Sequence, residues 1–273
     1  MEVNNNMKAI YTEGLTKCYK EKRAVDSLNL SIEEGELFAL LGVNGAGKTT
    51  TIRMLTCLST PTSGTAQVLG HDVTAEADAV KRLGGISTQD TAVAENLTVY
   101  ENLKFMDGIY RADCVSDKKD ISGSGNPGDQ RNKHETGNVP AGTPEERIEE
   151  IIEIFSLEEV RNKKAKTLSG GWKRKLSIAM ALIGEPKILY LDEPTLGLDV
   201  LARRELWKII EGLKGRITII LTTHYMEEAE ALADRIAVMI NGRIAEIGTL
   251  GELEAKTGKK GLEEVFVEIA ERS

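Results

Sequence analysis

Gly42-Val43-Asn44-Gly45-Ala46-Gly47-Lys48-Thr49 fits the spacing G-x-x-x-x-G-K-[ST] without a gap, and the fold of the whole chain turns on it. Residues 36–41 before it read as a short buried strand. Residues 50–58 after it read as a helix with Ile52, Met54, Leu55 and Leu58 apolar. Strand, glycine loop, helix is the context the motif needs. Glycines let the backbone curl with its N–H groups pointing inward. The loop then meets the positive end of the following helix, so the stretch predicts a polyphosphate site. From this position Lys48 reaches the β- and γ-phosphates, and the Thr49 hydroxyl ligates Mg²⁺.

The 273 residues are enough for one large domain or two small ones, and at 41% hydrophobic the chain can bury a core. A net charge of −8 argues against a nucleic-acid protein held by a general basic field. Three widely separated cysteines, Cys18, Cys57 and Cys114, have no metal-ligand spacing, and their odd number points to a reducing compartment. The first residues lack the basic and apolar regions of a signal peptide. No apolar run approaches the ~20 residues that cross a bilayer. Any membrane work is therefore expected to need another chain.

Residues 8–12 and 24–32 read as strands, with residues 15–19 between them. Tyr19 offers an aromatic face for a base, but on local sequence alone it reads as an ordinary half-buried tyrosine. Residues 66–69 form a short strand, 79–83 a helix, and 85–89 a strand ending at Gln89. Residues 97–103 open a helix, with Thr98 as N-cap and Glu101 three residues later. Residues 113–143 hold five glycines, two prolines and few apolar side chains. No period can be drawn through them, so they read as a mobile, solvated surface insertion. Order returns at Pro144, after Thr143. Ser169-Gly170-Gly171 before the helix of residues 176–183 has the look of a second anion-binding N-terminus, a weak signal alone.

Residues 187–191 are a continuous apolar run ending in Asp192-Glu193. A buried strand delivers both carboxylates at its C-terminal edge, where α/β sheets place their ligands. Adjacent carboxylates suit phosphoryl transfer: one supports Mg²⁺ and the other polarises the attacking water. Residues 217–221 are another buried strand, followed by Thr222-Thr223-His224. A histidine past a strand end on the same edge reaches a γ-phosphate, although a lone histidine is more often structural. Asn241-Gly242 between residues 236–240 and 244–247 is a hairpin signal. Leu262, Val265, Phe266 and Ile269 mark a last amphipathic helix, expected to pack on the chain's own core.

Taken together and in order, Tyr19, Gly42–Thr49, Gln89, Leu168–Gly171, residues 188–193 and His224 resemble the ATP-binding-cassette (ABC) ATPases, over residues 8–248. The resemblance implies an α/β fold: a P-loop, RecA-like core with a small antiparallel β subdomain and an inserted α-helical subdomain. The implied boundaries are 1–90 with 186–248 for the core, 91–185 for the helical subdomain with its insertion 113–143, and 249–273 for a C-terminal helical tail. It also implies that Tyr19 stacks on adenine, and that Gly42, Val43, Asn44, Gly45, Ala46, Gly47, Lys48, Thr49 and Thr50 bind ATP. Gln89 would sense Mg²⁺ and the attacking water, Asp192 would support the metal with Thr49, Glu193 would be the catalytic carboxylate, and His224 would complete the γ-phosphate sensor. Leu168, Ser169, Gly170 and Gly171 form the signature that meets a partner's nucleotide in a head-to-tail pair, expected to be a homodimer, and Asp199 would couple the two sites.

Two departures stand out. Trp172 follows Gly171 where a glutamine is common, and the 113–143 insertion has no family counterpart. Residues 97–103, 223–230 and 262–266 look like the prokaryotic drug- and antibiotic-exporter ATPases, which pair with an integral-membrane permease. The chain therefore reads as the ATP-hydrolysing subunit of an exporter of drugs or other small hydrophobic molecules. It would be cytoplasmic and peripheral on the membrane through its permease. The alternative is a non-transport cytosolic ABC ATPase of the cluster-assembly type. DNA-repair members carry long coiled coils and translation factors two cassettes, and this sequence has neither. A nucleotide-gated module without catalysis would lack a residue such as Glu193.

Overall fold

The computed structural model describes residues 8–120 and 142–272. The described chain forms two compact units: Ala92–Pro186, and the residues before and after it. The larger unit holds two sheets. Strands β1 (Lys8–Tyr19), β2 (Lys22–Glu33), β4 (Ser63–Val68) and β5 (His71–Asp72) make an antiparallel sheet in the order β2-β1-β4-β5. Strands β3 (Leu37–Leu41), β6 (Gly84–Ser87), β7 (Ile188–Asp192), β8 (Thr218–Thr223), β9 (Arg235–Ile240) and β10 (Arg243–Gly248) make the second, in the order β10-β9-β3-β8-β7-β6. All pairs of this sheet are parallel except the β9–β10 hairpin. Asn241 and Gly242 turn that hairpin with φ of 48° and 82°, as a two-residue turn between right-twisted strands requires.

Strands β3, β7 and β8 are buried along their whole length. They lie inside a sheet covered on both faces, which is why they read as unbroken apolar runs. Side chains alternate between two cores. Phe38 and Leu40 join Ile188, Tyr190 and Met239 on one side. Ala39 and Leu41 join Ile236, Val238, Leu262 and Phe266 on the other. The last helix does pack on the chain's own core through Leu262, Val265 and Ile269. Helices α1 (Lys48–Leu55), α2 (Ala77–Leu83), α6 (Val200–Leu213), α7 (Met226–Leu232), α8 (Leu250–Thr257) and α9 (Leu262–Arg272) belong to this unit.

The smaller unit is built on α3 (Val99–Asp120), α4 (Pro144–Ile154) and α5 (Gly170–Leu182). Two of these helices start as the sequence predicts. Thr98 N donates to Glu101 Oε2 at 2.7 Å while Glu101 N donates to Thr98 Oγ1, and Thr143 with Glu146 makes the same reciprocal box. Buried Arg147 donates to the Leu182 and Ile183 carbonyls, closing the far end of α5.

Several expectations need correction. Residues 15–19 are not a connection but the second half of β1, paired with β2 and β4 through shifts of register. The expected insertion starts late, because α3 continues to Asp120. A helix once nucleated propagates through polar residues without an apolar stripe. The insertion's other boundary stands where expected, with Thr143 capping α4 at Pro144. Residues 121–141, the rest of the predicted mobile loop, lie outside the described residues. Helix α5 begins at Gly170, six residues before the predicted start, and α1 at Lys48. Helix α8 lies within the expected helical tail of residues 249–273 and starts at the Thr249–Glu252 capping box.

Candidate active site

The parallel register lines up the strand ends that matter. Leu41 pairs with Thr223, Asp192 with Thr222, and Ser87 with Leu191. The glycine loop, His224, Glu193 and Gln89 therefore all leave the sheet at one edge, the C-terminal one.

Two glycines of the loop are there for space. A Cβ on Gly42 would sit 2.5 Å from the Met239 carbonyl oxygen, and one on Gly47 would sit 2.5 Å from the Ala24 carbonyl oxygen. Gly47 also has φ of 109°, where an L side chain is strained. Gly42 N donates to Thr223 O at 3.2 Å and Ala46 N to Val43 O at 3.1 Å, which fixes the curl of the loop. The loop opens α1 with Gly47 at the N-cap position. Among the described residues no side chain caps it, and no acidic residue occupies its first turn. The first-turn N–H groups thus keep their donors for something else.

Lys48 is buried, 4% exposed, and its Nζ donates to Gly42 O at 2.7 Å and Val43 O at 3.3 Å. It lies 3.3 Å from Glu193 Oε1, and His224 Nδ1 lies 3.1 Å from Glu193 Oε2. The histidine approaches the carboxylate without hydrogen-bond alignment. Glu193 holds the left-handed conformation, φ 50°, immediately after β7. Its N–H donates to Thr222 O at 3.0 Å, which pins it there. A non-glycine residue held in this region at a strand end is strain of the kind found at reactive sites. Asp192 Oδ1 accepts from Thr49 Oγ1 at 3.2 Å and from Thr222 Oγ1.

A cleft of about 410 Å³ opens beside the loop, Lys48 and Glu193. Tyr19, Asn44, Gly45, Gly47, Lys48, Thr49, Thr50, Gln89 and Glu193 line it, with Lys22 and Ala24. Tyr19 is 46% exposed, and Lys17 Nζ stands 5.2 Å from its ring centroid. The cleft joins an aromatic face, a positive helix end, a buried lysine and the Glu193 carboxylate, which suits a base linked to a polyphosphate. Lys22 and Thr222 escape a reading of the sequence. Nothing local distinguishes Lys22 from other strand lysines, and Thr222 matters only through its register opposite Asp192.

Other predicted residues stand elsewhere in their elements. Asp199 caps α6, accepting from Leu201 N at 2.9 Å and Ala202 N at 3.0 Å. In the smaller unit, Leu168 is buried, and Ser169 caps α5 by accepting from Trp172 N at 3.5 Å. Gly170 and Gly171 form the first turn of α5, and Lys175 Nζ lies 4.7 Å from the centroid of the Trp172 indole.

The family model for ABC transporters matches residues 25–196. The daunorubicin/doxorubicin resistance ATP-binding protein DrrA of Streptomyces peucetius is 41% identical over 256 residues, spanning 93% of this chain and 69% of that protein. ABC transporter A family member 9 of Dictyostelium discoideum is 40% identical over 255 residues; the match takes in 93% of this chain but only 27% of that longer protein. Among solved structures, cbiO1 of Clostridium perfringens, described as part of the ABC transporter complex cbiONQ, superposes with a TM-score of 0.72 at 26% identity, covering 91% of each chain.

Proposed function

The chain belongs to the ABC transporter family as an ATP-binding, ATP-hydrolysing subunit, and on that premise we propose that it drives the export of drug-like molecules through a membrane permease on another chain. The observation that carries the catalytic part is the meeting of Lys48, Thr49 and Glu193 in one cleft at the edge of the sheet, with Asp192 buried behind Thr49 and accepting a hydrogen bond from its hydroxyl. In this reading the first turn of α1 and Lys48 hold the phosphates of ATP, and Tyr19 stacks on its base. The hard oxygens of Thr49, Asp192 and Gln89 fit Mg²⁺, which takes one or two carboxylates and completes its shell with water and phosphate. Held by these residues, Mg²⁺ would supply positive charge that offsets the charge developing on the phosphates. Glu193 takes the proton of the attacking water, and His224, beside its Oε2, reports on the γ-phosphate.

The likeness to a drug-resistance ATP-binding protein supports the export of drug-like molecules. No helix among the described residues is long and apolar enough to cross a membrane. Ser169 and Gly171 would close a second copy's nucleotide site in a head-to-tail dimer on the cytoplasmic face, with Asp199 coupling the two sites.

Glu193→Gln tests the chemistry. ATP affinity by calorimetry is expected to stay within a few-fold, while turnover falls by about 10²-fold or more, the range of general-base catalysis. Near-normal turnover would remove Glu193 from the mechanism. Detergent extraction of the tagged chain from its native cells tests the partner: a co-purifying integral-membrane protein supports export, and its absence favours a cytosolic ATPase.

A further inference from the structure

Glu228 on α7 is fully buried, and the chemistry described above does not use it. Its Oε1 accepts from the Trp207 indole N–H at 3.2 Å, a bond from α7 to α6. Arg203 lies one helical turn before Trp207, so both side chains face α7. The Arg203 guanidinium stands 4.7 Å from the Tyr225 ring centroid, and Nη1 is 3.8 Å from Glu227 Oε2. Tyr225 in turn places its ring 4.2 Å from the ring of His224, and its N–H donates to Thr223 Oγ1 at 3.0 Å. Helix α6 therefore grips the segment after β8 at two points, Tyr225 and Glu228. That segment carries His224 to within 3.1 Å of Glu193. The same α6 starts at the Asp199 cap.

A buried carboxyl is costly unless its oxygens are used. Burial pushes the Glu228 carboxyl up from its ordinary value, and the Thr223 and Thr195 hydroxyls, the Trp207 indole and the Arg203 charge only partly oppose that. An aliphatic residue would fill this space without the desolvation cost. What distinguishes Glu228 from one is the acceptor it presents to polar neighbours, of which the Trp207 indole is the one that ties it to α6.

We propose that Glu228 is a positioning residue for ATP hydrolysis: by accepting the Trp207 indole proton it fastens the His224 segment to α6 and holds His224 against the Glu193 carboxylate. The proposal rests on the reading of Glu193 as the catalytic carboxylate. Its need is for an acceptor, not for a charge.

Glu228→Gln keeps a carbonyl oxygen for the indole, and Glu228→Met keeps the volume but removes it. Steady-state ATPase assays are expected to give Glu228→Gln a kcat close to wild type. Glu228→Met is expected to lose about tenfold or more in kcat with the KM for ATP within twofold, the pattern of a misplaced group that acts after binding. Trp207→Phe, which removes the donor, is expected to match Glu228→Met, and the double variant to be no worse than either single one. Should Glu228→Met fail to fold, Trp207→Phe against Glu228→Gln decides alone. Wild-type kcat in the variants lacking the bond would overturn the proposal. So would a Glu228→Gln variant as slow as Glu228→Met, which would make the charge the requirement. A wild-type chain without ATPase activity, or a fully active Glu193→Gln, would instead count against the functional reading.

Discussion

Helices α1 and α8 are both eight residues long and both pack on the core of the larger unit, yet their N-termini are opposites. Helix α8 closes its own end. Thr249 Oγ1 accepts from Glu252 N, Glu252 Oε2 accepts from Thr249 N, and the acidic Glu252 sits on the positive pole of the helix. Helix α1 has glycine where α8 has threonine, no acid in its first turn, and a lysine at its first position. What α8 uses for its own stability, α1 keeps available for a ligand. The difference teaches where binding energy is stored in this fold: in donors and a dipole that the chain could have satisfied itself and does not.

The sharpest way to break the contrast is to close α1. Gly47→Ser introduces a capping hydroxyl, but its Cβ meets the Ala24 carbonyl oxygen and is strained at φ of 109°. ATP affinity is expected to fall by at least about 100-fold, roughly 2.7 kcal/mol, as measured by calorimetry. Retained affinity would mean that the loop is not the phosphate cradle. Lys48→Ala leaves the open helix end but removes the buried cation, and an intermediate loss, about tenfold to 100-fold in affinity, is expected along with a loss of turnover. Unchanged binding would place the phosphates elsewhere.

At the other helix the effect moves from function to stability. Thr249→Ala is expected to cost about 1 kcal/mol, or about 2 °C in melting temperature, with kcat and KM unchanged. Glu252→Gln sharpens this through pH. The Thr249 backbone N–H holds the Glu252 carboxyl below its ordinary value of 4.5. A depressed carboxyl contributes stability above its unfolded value and loses it as pH falls through the folded value. Melting curves of the wild type should therefore decline more steeply below about pH 4.5 than those of Glu252→Gln, and equal slopes would show the carboxyl to be uninvolved.

Much of the fold and of the site is legible in the sequence, and particular residues show why. Thr98 with Glu101, Asn241-Gly242 and the eight residues from Gly42 to Thr49 announce themselves because their geometry is local: a cap, a turn and a loop are each made by residues a few positions apart. The apolar runs ending at Asp192 and near Thr222 mark the core strands. Residues 15–19 mislead because β1 shifts register and so breaks the alternation that marks a strand. Residues 113–120 mislead because a helix extended from its apolar part carries no stripe of its own.

The sequence by itself determined that a polyphosphate loop lies between a buried strand and a helix, that two carboxylates end another buried strand, and that a histidine follows a third. Only the tertiary structure decided that these belong to one place. Thr49 and Asp192 are 143 residues apart and meet because β3, β8 and β7 run parallel in a fixed register. It decided likewise that Thr222 holds Asp192, that Lys48 and His224 flank Glu193, and that Trp207 is bound by Glu228. Backbone geometry is fixed by neighbours along the chain and can be read from them. Contacts between distant side chains depend on sheet register and helix packing, which are settled only when the whole core is buried.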